Sequence, residues 1–185
     1  MSENLRNFTA AVYGFDAVVQ RMPADAWAAD SACEGWSGKD LLQHQVAVLN
    51  GVTKVASTGQ MAAPTPPEDM SDPVKTWNQC RDEVLSALDQ PGVLQQQGPF
   101  WFDAPTVDDM IGIVQWDPLA HAWDLAKTCD MDACLNESVA ASSLATIEGM
   151  QPMLVKSGRI GEPVEVPSDA PASARFLGAT GRNPS

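Results

Sequence analysis

The chain has 185 residues, a length that fits one domain and can bury a core without covalent cross-links. Its 24 acidic against 11 basic side chains give a formal net charge of −13, which would repel a phosphate backbone and argues against nucleic-acid binding. No run of about 18 apolar residues is present, and the start, MSENLRNF, lacks a signal-peptide pattern. We therefore expect a soluble cytoplasmic protein with no membrane partner.

Apolar residues recur at three-to-four spacing along most of the chain, which predicts an all-α fold. A loop rich in proline, glycine, serine and threonine covers about 57–71. The helices predicted around it are 3–21, 37–51, 72–91, 106–125 with a bend or restart at Pro118, and a fifth after Asn136 that Pro152 bends or interrupts. We expect one domain over 1–185, a helical bundle over about 3–157 with a proline-rich tail, 158–185, that contains a brief turn.

The chain contains only two histidines, His44 and His121, and Asp117 precedes the second by four residues. Side chains four apart lie on one face of a helix, about 6 Å apart at Cβ, so Asp117 and His121 could bind one ion. His44, on a separate predicted helix, would complete a set of three nitrogen and oxygen ligands and leave a position for water or substrate. The alternative is that Asp117 caps a helix beginning at Pro118 and that the histidines are ordinary hydrogen-bonded core residues.

Other residues near these positions each allow two interpretations. Trp36, Trp116 and Trp123 could form the wall of a pocket or simply pack between helices. Asp124 could orient a ligand histidine or be a solvated or capping residue. Arg182 could bind a substrate carboxylate or anchor the tail through a salt bridge.

The four cysteines form no CxxC pair, and in a reducing compartment such thiols are expected to be free. The alternative is a redox or ligand role for Cys129 or Cys134, which follow the His121 helix. Free cysteine most often behaves as a small buried apolar residue. The sequence assigns no individual role to Cys33, Cys80, Cys129 and Cys134.

Three stretches, ACEGWSGKDLLQHQV, WDPLAHAWDLAKTC and ARFLGATGRNP, resemble the actinobacterial branch of the DinB-like superfamily. This branch is related to the N-terminal domain of mycothiol-dependent maleylpyruvate isomerase. The resemblance implies a four-helix bundle of up-down-down-up type, here with an extra short helix, that holds a divalent metal, zinc or nickel. It implies as ligands His44, His121 and Asp117, where several relatives have Glu.

The resemblance also implies a metal-dependent thiol transferase or isomerase that activates a low-molecular-weight thiol such as mycothiol. The isomerase relatives carry a further α/β domain, whereas this chain has only a short tail after its last predicted helix. Three alternatives stay open: a hydrolase using metal-bound water, a non-catalytic metal-binding module or ligand sensor, and a scaffold that has lost its metal. The expected partner is a small molecule, and a homodimer is left open.

Overall fold

The computed structural model describes residues 1–184, and every regular element within them is helical, which confirms the all-α prediction. Short 3₁₀ turns lie at Ala26–Ala28, Val93–Gln95 and Trp101–Asp103. The α-helices, in chain order, are α1 (Glu3–Val19), α2 (Gly38–Thr58), α3 (Pro73–Leu88), α4 (Val107–Val114), α5 (Trp116–Lys127), α6 (Glu137–Lys156) and α7 (Ala172–Ala179).

Side-chain caps fix the starts of several helices. Ser37 and Asp40 form a reciprocal capping box at α2, as their spacing predicts. Helix α2 continues to Thr58, so the predicted end at Gly51 is wrong. A Cβ at Gly51 would meet the Trp101 ring at 2.7 Å, so this glycine provides room for a close contact and does not end the helix.

The helix predicted to bend or restart at Pro118 is broken three residues earlier, at Gln115, between α4 and α5. Proline has no N–H and its ring clashes with the carbonyl four residues before it, which here is that of Val114, the last residue of α4. The break therefore precedes the proline that causes it. Asp117 lies within the first turn of α5 and not at the N-cap, so the capping interpretation of Asp117 is wrong.

Helix α1 packs against α3, α4, α5 and α6, and α2 packs against α3 and α5. One hydrophobic cluster joins α1 to α5, and a second joins α5 to α6 and α7. The prediction of only a brief turn in the tail is wrong, because α7 buries Phe176 and Leu177 in the second cluster. Within residues 1–184, no helix is long and apolar enough to cross a membrane.

Candidate metal centre

His44, Asp117 and His121 meet where α2 packs against α5. One possible ligand atom from each lies within 4.8 Å of the others. The Asp117 carboxylate lies between the rings, with Oδ2 3.6 Å from Nε2 of His44 and Oδ1 3.6 Å from Nε2 of His121. The two imidazole rings stand edge to face, 5.0 Å apart at their centroids.

These separations fit a metal site better than a hydrogen-bonded cluster. A distance of 3.6 Å exceeds that of a normal N–H···O hydrogen bond. It is close to the separation of about 3.4 Å expected between two ligand atoms in a tetrahedral zinc site with bonds of about 2.1 Å. Two imidazole nitrogens and a carboxylate oxygen also form a ligand set that divalent ions of the first transition row favour. The residues present therefore fit a divalent ion.

The Asp117 carboxylate is held by a residue that the sequence analysis missed. Gln45 is fully buried, and its Nε2 donates a hydrogen bond of 2.5 Å to Oδ2 of Asp117. Burial raises the pKa of Asp117, but His121, His44 and Gln45 together lower that pKa to about 2. Asp117 is thus ionised at neutral pH. A glutamine on an amphipathic helix gives no sequence signal for such a contact.

His121 is fixed from its other side by Asp124 and Arg182. Oδ2 of Asp124 lies 2.8 Å from Nδ1 of His121, and Arg182 donates to both carboxylate oxygens, at 2.8 and 2.5 Å. Burial raises the pKa of Asp124, but the hydrogen bonds from Arg182 and His121 hold it well below its usual range. The ionised Asp124 faces Nδ1 of His121, which leaves Nε2 directed towards Asp117.

For Asp124 and for Arg182, the structure fits one of the two interpretations that the sequence allows. Asp124 is only 2% exposed, so it is not the solvated or capping residue of the alternative interpretation. Arg182 forms an ion pair with Asp124 and is not free to bind a substrate carboxylate. The sequence placed no restriction on this pairing, which joins positions far apart along the chain.

A second group with suitable ligand atoms, Cys33, His121 and Asp124, does not fit a metal. Arg182 already occupies both oxygens of Asp124, and the Cys33 thiol itself donates to Oδ2 at 3.4 Å. Burial and the nearby Asp124 charge raise the pKa of Cys33 to about 12, so the thiol is protonated at neutral pH.

The other three cysteines are free thiols outside both possible metal groups found in residues 1–184. Cys80 is buried, and its burial raises its pKa to about 12. Neither Cys129 nor Cys134 contributes to the ligand cluster, so their predicted alternative as ligand thiols is wrong.

The ligand cluster opens into a cavity of about 1280 Å³, whose lining includes all three candidate ligands. Trp36 lies over both rings, with its centroid 5.2 Å from that of His44 and 6.4 Å from that of His121. Trp116 also lines the cavity.

Trp123 is not part of the cavity wall, so this interpretation is wrong for the third tryptophan. Two residues after His121 on the same helix, it points about 200° away around the helix axis. Its ring lies beneath the Lys127 ammonium, 5.1 Å from the centroid, and packs at the edges of both hydrophobic clusters.

Residues 8–126 match the model of the mycothiol maleylpyruvate isomerase N-terminal domain family. The chain belongs to this family. The matched range contains His44, Asp117 and His121, together with Gln45 and Asp124, whereas Arg182 lies beyond it. No curated protein and no solved structure matches the chain. Membership of the mycothiol maleylpyruvate isomerase N-terminal domain family, with the observed ligand cluster, indicates a mycothiol-related metal-binding domain.

Proposed function

We propose that this chain is a divalent-metal enzyme of the thiol transferase or isomerase type, which uses a low-molecular-weight thiol such as mycothiol. The observation that carries the proposal is the meeting of His44, Asp117 and His121 at the wall of a cavity of about 1280 Å³. Membership of a mycothiol-related family supports the choice of thiol. Zinc is the metal we propose, with nickel as the alternative that metal analysis would distinguish.

His44, Asp117 and His121 are the residues that would hold the ion. When bound, a divalent ion lowers the pKa of a coordinated thiol and makes the thiolate available at neutral pH. Three protein ligands leave a coordination position for an exogenous group, as catalytic sites do, whereas structural zinc sites use four protein ligands. The His44 side chain is 33% exposed and that of His121 only 11%, so access from the cavity is on the His44 side.

The surrounding residues would hold this ligand set in one arrangement. Gln45 fixes the rotation of the Asp117 carboxylate, and Asp124 with Arg182 fixes the ring of His121 and the nitrogen that carries its hydrogen. Trp36 covers both rings and limits the access of water to them. The ligand atoms are therefore pre-positioned, and little rearrangement is needed when the ion binds.

The overall reaction needs no further reagent. In a conjugate addition, the thiol sulfur forms a bond to the β-carbon of an unsaturated carbonyl compound and the π bond breaks. The thiol proton ends on the α-carbon. In a cis–trans isomerisation the same sulfur–carbon bond forms, rotation follows, and the thiol leaves unchanged.

The proposal is tested by assaying both the loss of mycothiol and the mycothiol-dependent cis–trans isomerisation of an unsaturated ketone, with protein that has been stripped of metal and then reloaded with zinc. Zinc should restore the activity, and Asp117→Asn should lower it by about 100-fold or more, since a ligand loss should exceed the 10–100-fold effect typical of residues that orient ligands. Asp25→Asn, an exposed carboxylate outside the cavity, is the matched control and should retain full activity. Activity indifferent to metal removal, or hydrolysis without consumption of thiol, would contradict the proposal.

A further inference from the structure

Exposed apolar side chains concentrate at the cavity. Five large apolar residues of the described chain are exposed, and three of them, Trp36, Met61 and Met153, line this one cavity at 36%, 54% and 44% exposure. They come from the loop before α2, the loop after it and helix α6. Large apolar groups that remain exposed around a concave site are typical of a ligand-binding surface.

Two aromatic residues extend this apolar wall and are held firmly. The Trp101 indole N–H donates to the Ala62 carbonyl at 2.7 Å, and its ring packs against α2 at Gly51. Phe102 has a φ of 59°, in the left-handed region that a non-glycine residue rarely adopts. Such backbone strain is found where the surrounding structure requires a particular side-chain position. The Arg159 guanidinium lies over the Phe102 ring, 5.8 Å from the ring centroid.

The charges of the lining favour an uncharged ligand. Four carboxylates and two guanidinium groups line the cavity, which gives the lining two excess negative charges. A divalent ion at the proposed site would cancel these two charges. Arg182 is already paired with Asp124, and Arg159 lies at the exposed end, where the carboxylates of Glu34 and Asp103 are also exposed. No excess positive charge remains to attract an anion into the cavity, and the whole chain carries −13.

We propose that the electrophilic cosubstrate is an uncharged molecule with an extended apolar body, aromatic or alkyl, that packs against Trp36, Met61 and Met153. This inference rests on the proposed function for the electrophilic role of the ligand. The cavity of about 1280 Å³ exceeds the usual range of about 300–1000 Å³ for small-molecule pockets, so it has room for a thiol and a second substrate together. Flexible methionine side chains adapt to different apolar shapes, which favours a class of substrates over a single one.

The test measures binding without reaction, by calorimetry with saturated probes that cannot alkylate the four free cysteines. The probes are 4-phenylbutan-2-one, its anionic counterpart 3-phenylpropanoate, and butan-2-one, which lacks the apolar body. Each is titrated into zinc-loaded and metal-free protein. We expect the phenyl ketone to bind at least about tenfold more tightly than butan-2-one in both forms, because only the phenyl ketone buries a ring. In the metal-free protein it should also bind more tightly than 3-phenylpropanoate, because the cavity has no excess positive charge to stabilise the carboxylate. Tighter binding of 3-phenylpropanoate to the metal-free protein would overturn the inference.

Variants of the lining methionines test whether the phenyl ketone binds at the proposed surface. Met61→Gln combined with Met153→Gln should weaken binding of the phenyl ketone about fivefold or more and leave the zinc content unchanged. Tyr13→Gln, which changes an exposed apolar side chain outside the cavity, should have no effect. An unchanged affinity in the double variant would overturn the inference.

The two proposals can fail separately. If the metal-free protein binds the ketone through Met61 and Met153 but the zinc-loaded protein catalyses neither thiol addition nor thiol-dependent isomerisation, the ligand class stands and the proposed function falls. If zinc-dependent thiol consumption is found but the phenyl ketone has no advantage over butan-2-one, the function stands and this inference falls.

Discussion

The part of the chain that the family model matches, residues 8–126, and the segment after it, 127–184, contribute different things to one site. The first supplies the candidate ligands His44, Asp117 and His121. The second supplies Arg182, which neutralises the carboxylate behind His121, and Met153 in the cavity wall. The ligand set and part of its environment therefore come from separate segments. A chain could therefore retain the ligands of this family and still bind different substrates.

Helix α5 is the link between the two segments, since its residues pack in both hydrophobic clusters. Ala122 and Leu125 belong to the cluster shared with α1, whereas Trp116 and Leu119 belong to the cluster shared with α6 and α7. Asp117 and His121 are on this same helix. The packing of both segments thus determines where the two ligands lie relative to His44 on α2.

The largest expected effect is on metal binding and arises within the matched segment. His121→Ala and His44→Ala should each reduce the zinc content of purified protein, measured by mass spectrometry, to a small fraction of one equivalent. Far-ultraviolet circular dichroism should show an unchanged helix content, because the buried core of a chain of this size does not depend on an ion. Global unfolding of either variant would indicate a structural metal and contradict the catalytic proposal.

The next effect tests whether the segment after the matched range, 127–184, is an integral part of the fold. Phe176→Ala on α7 should lower the free energy of unfolding by about 3–5 kcal/mol, because it leaves a cavity in the second cluster. Urea denaturation followed by circular dichroism provides the measurement. A change below about 1 kcal/mol would mean that α7 contributes little and that the two segments are less connected than described.

Breaking the ion pair between the segments should cost about 3 kcal/mol. Arg182→Met leaves Asp124 buried without its cation, and loss of one partner of a buried pair costs about 3–5 kcal/mol. The double variant with Asp124→Asn should recover part of this loss, since no buried charge remains unpaired. Arg175→Met, on α7 close to Arg182 in sequence, has no such partner and should change stability by less than about 0.5 kcal/mol. Equal effects of Arg182→Met and Arg175→Met in urea denaturation would contradict the role of the pair.

The smallest effect concerns an ion pair that lies wholly within the matched segment. Asp16 accepts hydrogen bonds from the Trp77 indole at 2.8 Å and from Arg81 at 2.6 Å. Partial burial raises the pKa of Asp16, but these contacts and Gln20 lower it overall. The folded pKa thus lies below the unfolded value of about 3.9, so the carboxylate stabilises the fold above that pH, and the contribution is lost as the pH falls through the folded pKa.

Asp16→Asn should therefore cost about 1 kcal/mol at pH 7 and remove part of the acid dependence of unfolding below about pH 4. The measurement is the urea midpoint of both proteins from pH 2 to pH 7. The two midpoints should converge at the acid end. A constant difference over the whole range would show that the Asp16 charge plays no part.

Much of the fold could be predicted because it depends on local patterns. The capping box at Ser37 and the apolar spacing of α1 and α2 are readable from neighbouring residues. The end of α2 could not be predicted, because Gly51 faces the Trp101 ring from a distant segment. Helix α7 is short, and its stability comes from packing on α6, which has no local signal.

The candidate site could likewise be predicted only in part. The scarcity of histidine and the four-residue spacing of Asp117 and His121, together with the family resemblance, predict the three side chains that meet in the structure. The contacts of Gln45 and Arg182 depend on how separate elements meet, so the sequence alone could not pair them with Asp117 and Asp124. Trp123 is a candidate for the cavity wall because it follows His121 by two residues. The rotation of about 200° around the helix axis places it on another side of α5.

Metal binding by the three ligands and thiol access to the ion are tested together by the visible spectrum of the cobalt-substituted protein during titration with mycothiol. If His44, Asp117 and His121 hold an ion that a thiol can reach, a sulfur-to-cobalt band should appear and strengthen as the pH rises towards the thiol pKa, since the thiolate is the ligand. The band should be absent in His121→Ala. A cobalt spectrum that is indifferent to mycothiol and to smaller thiols from neutral to mildly alkaline pH would contradict the account.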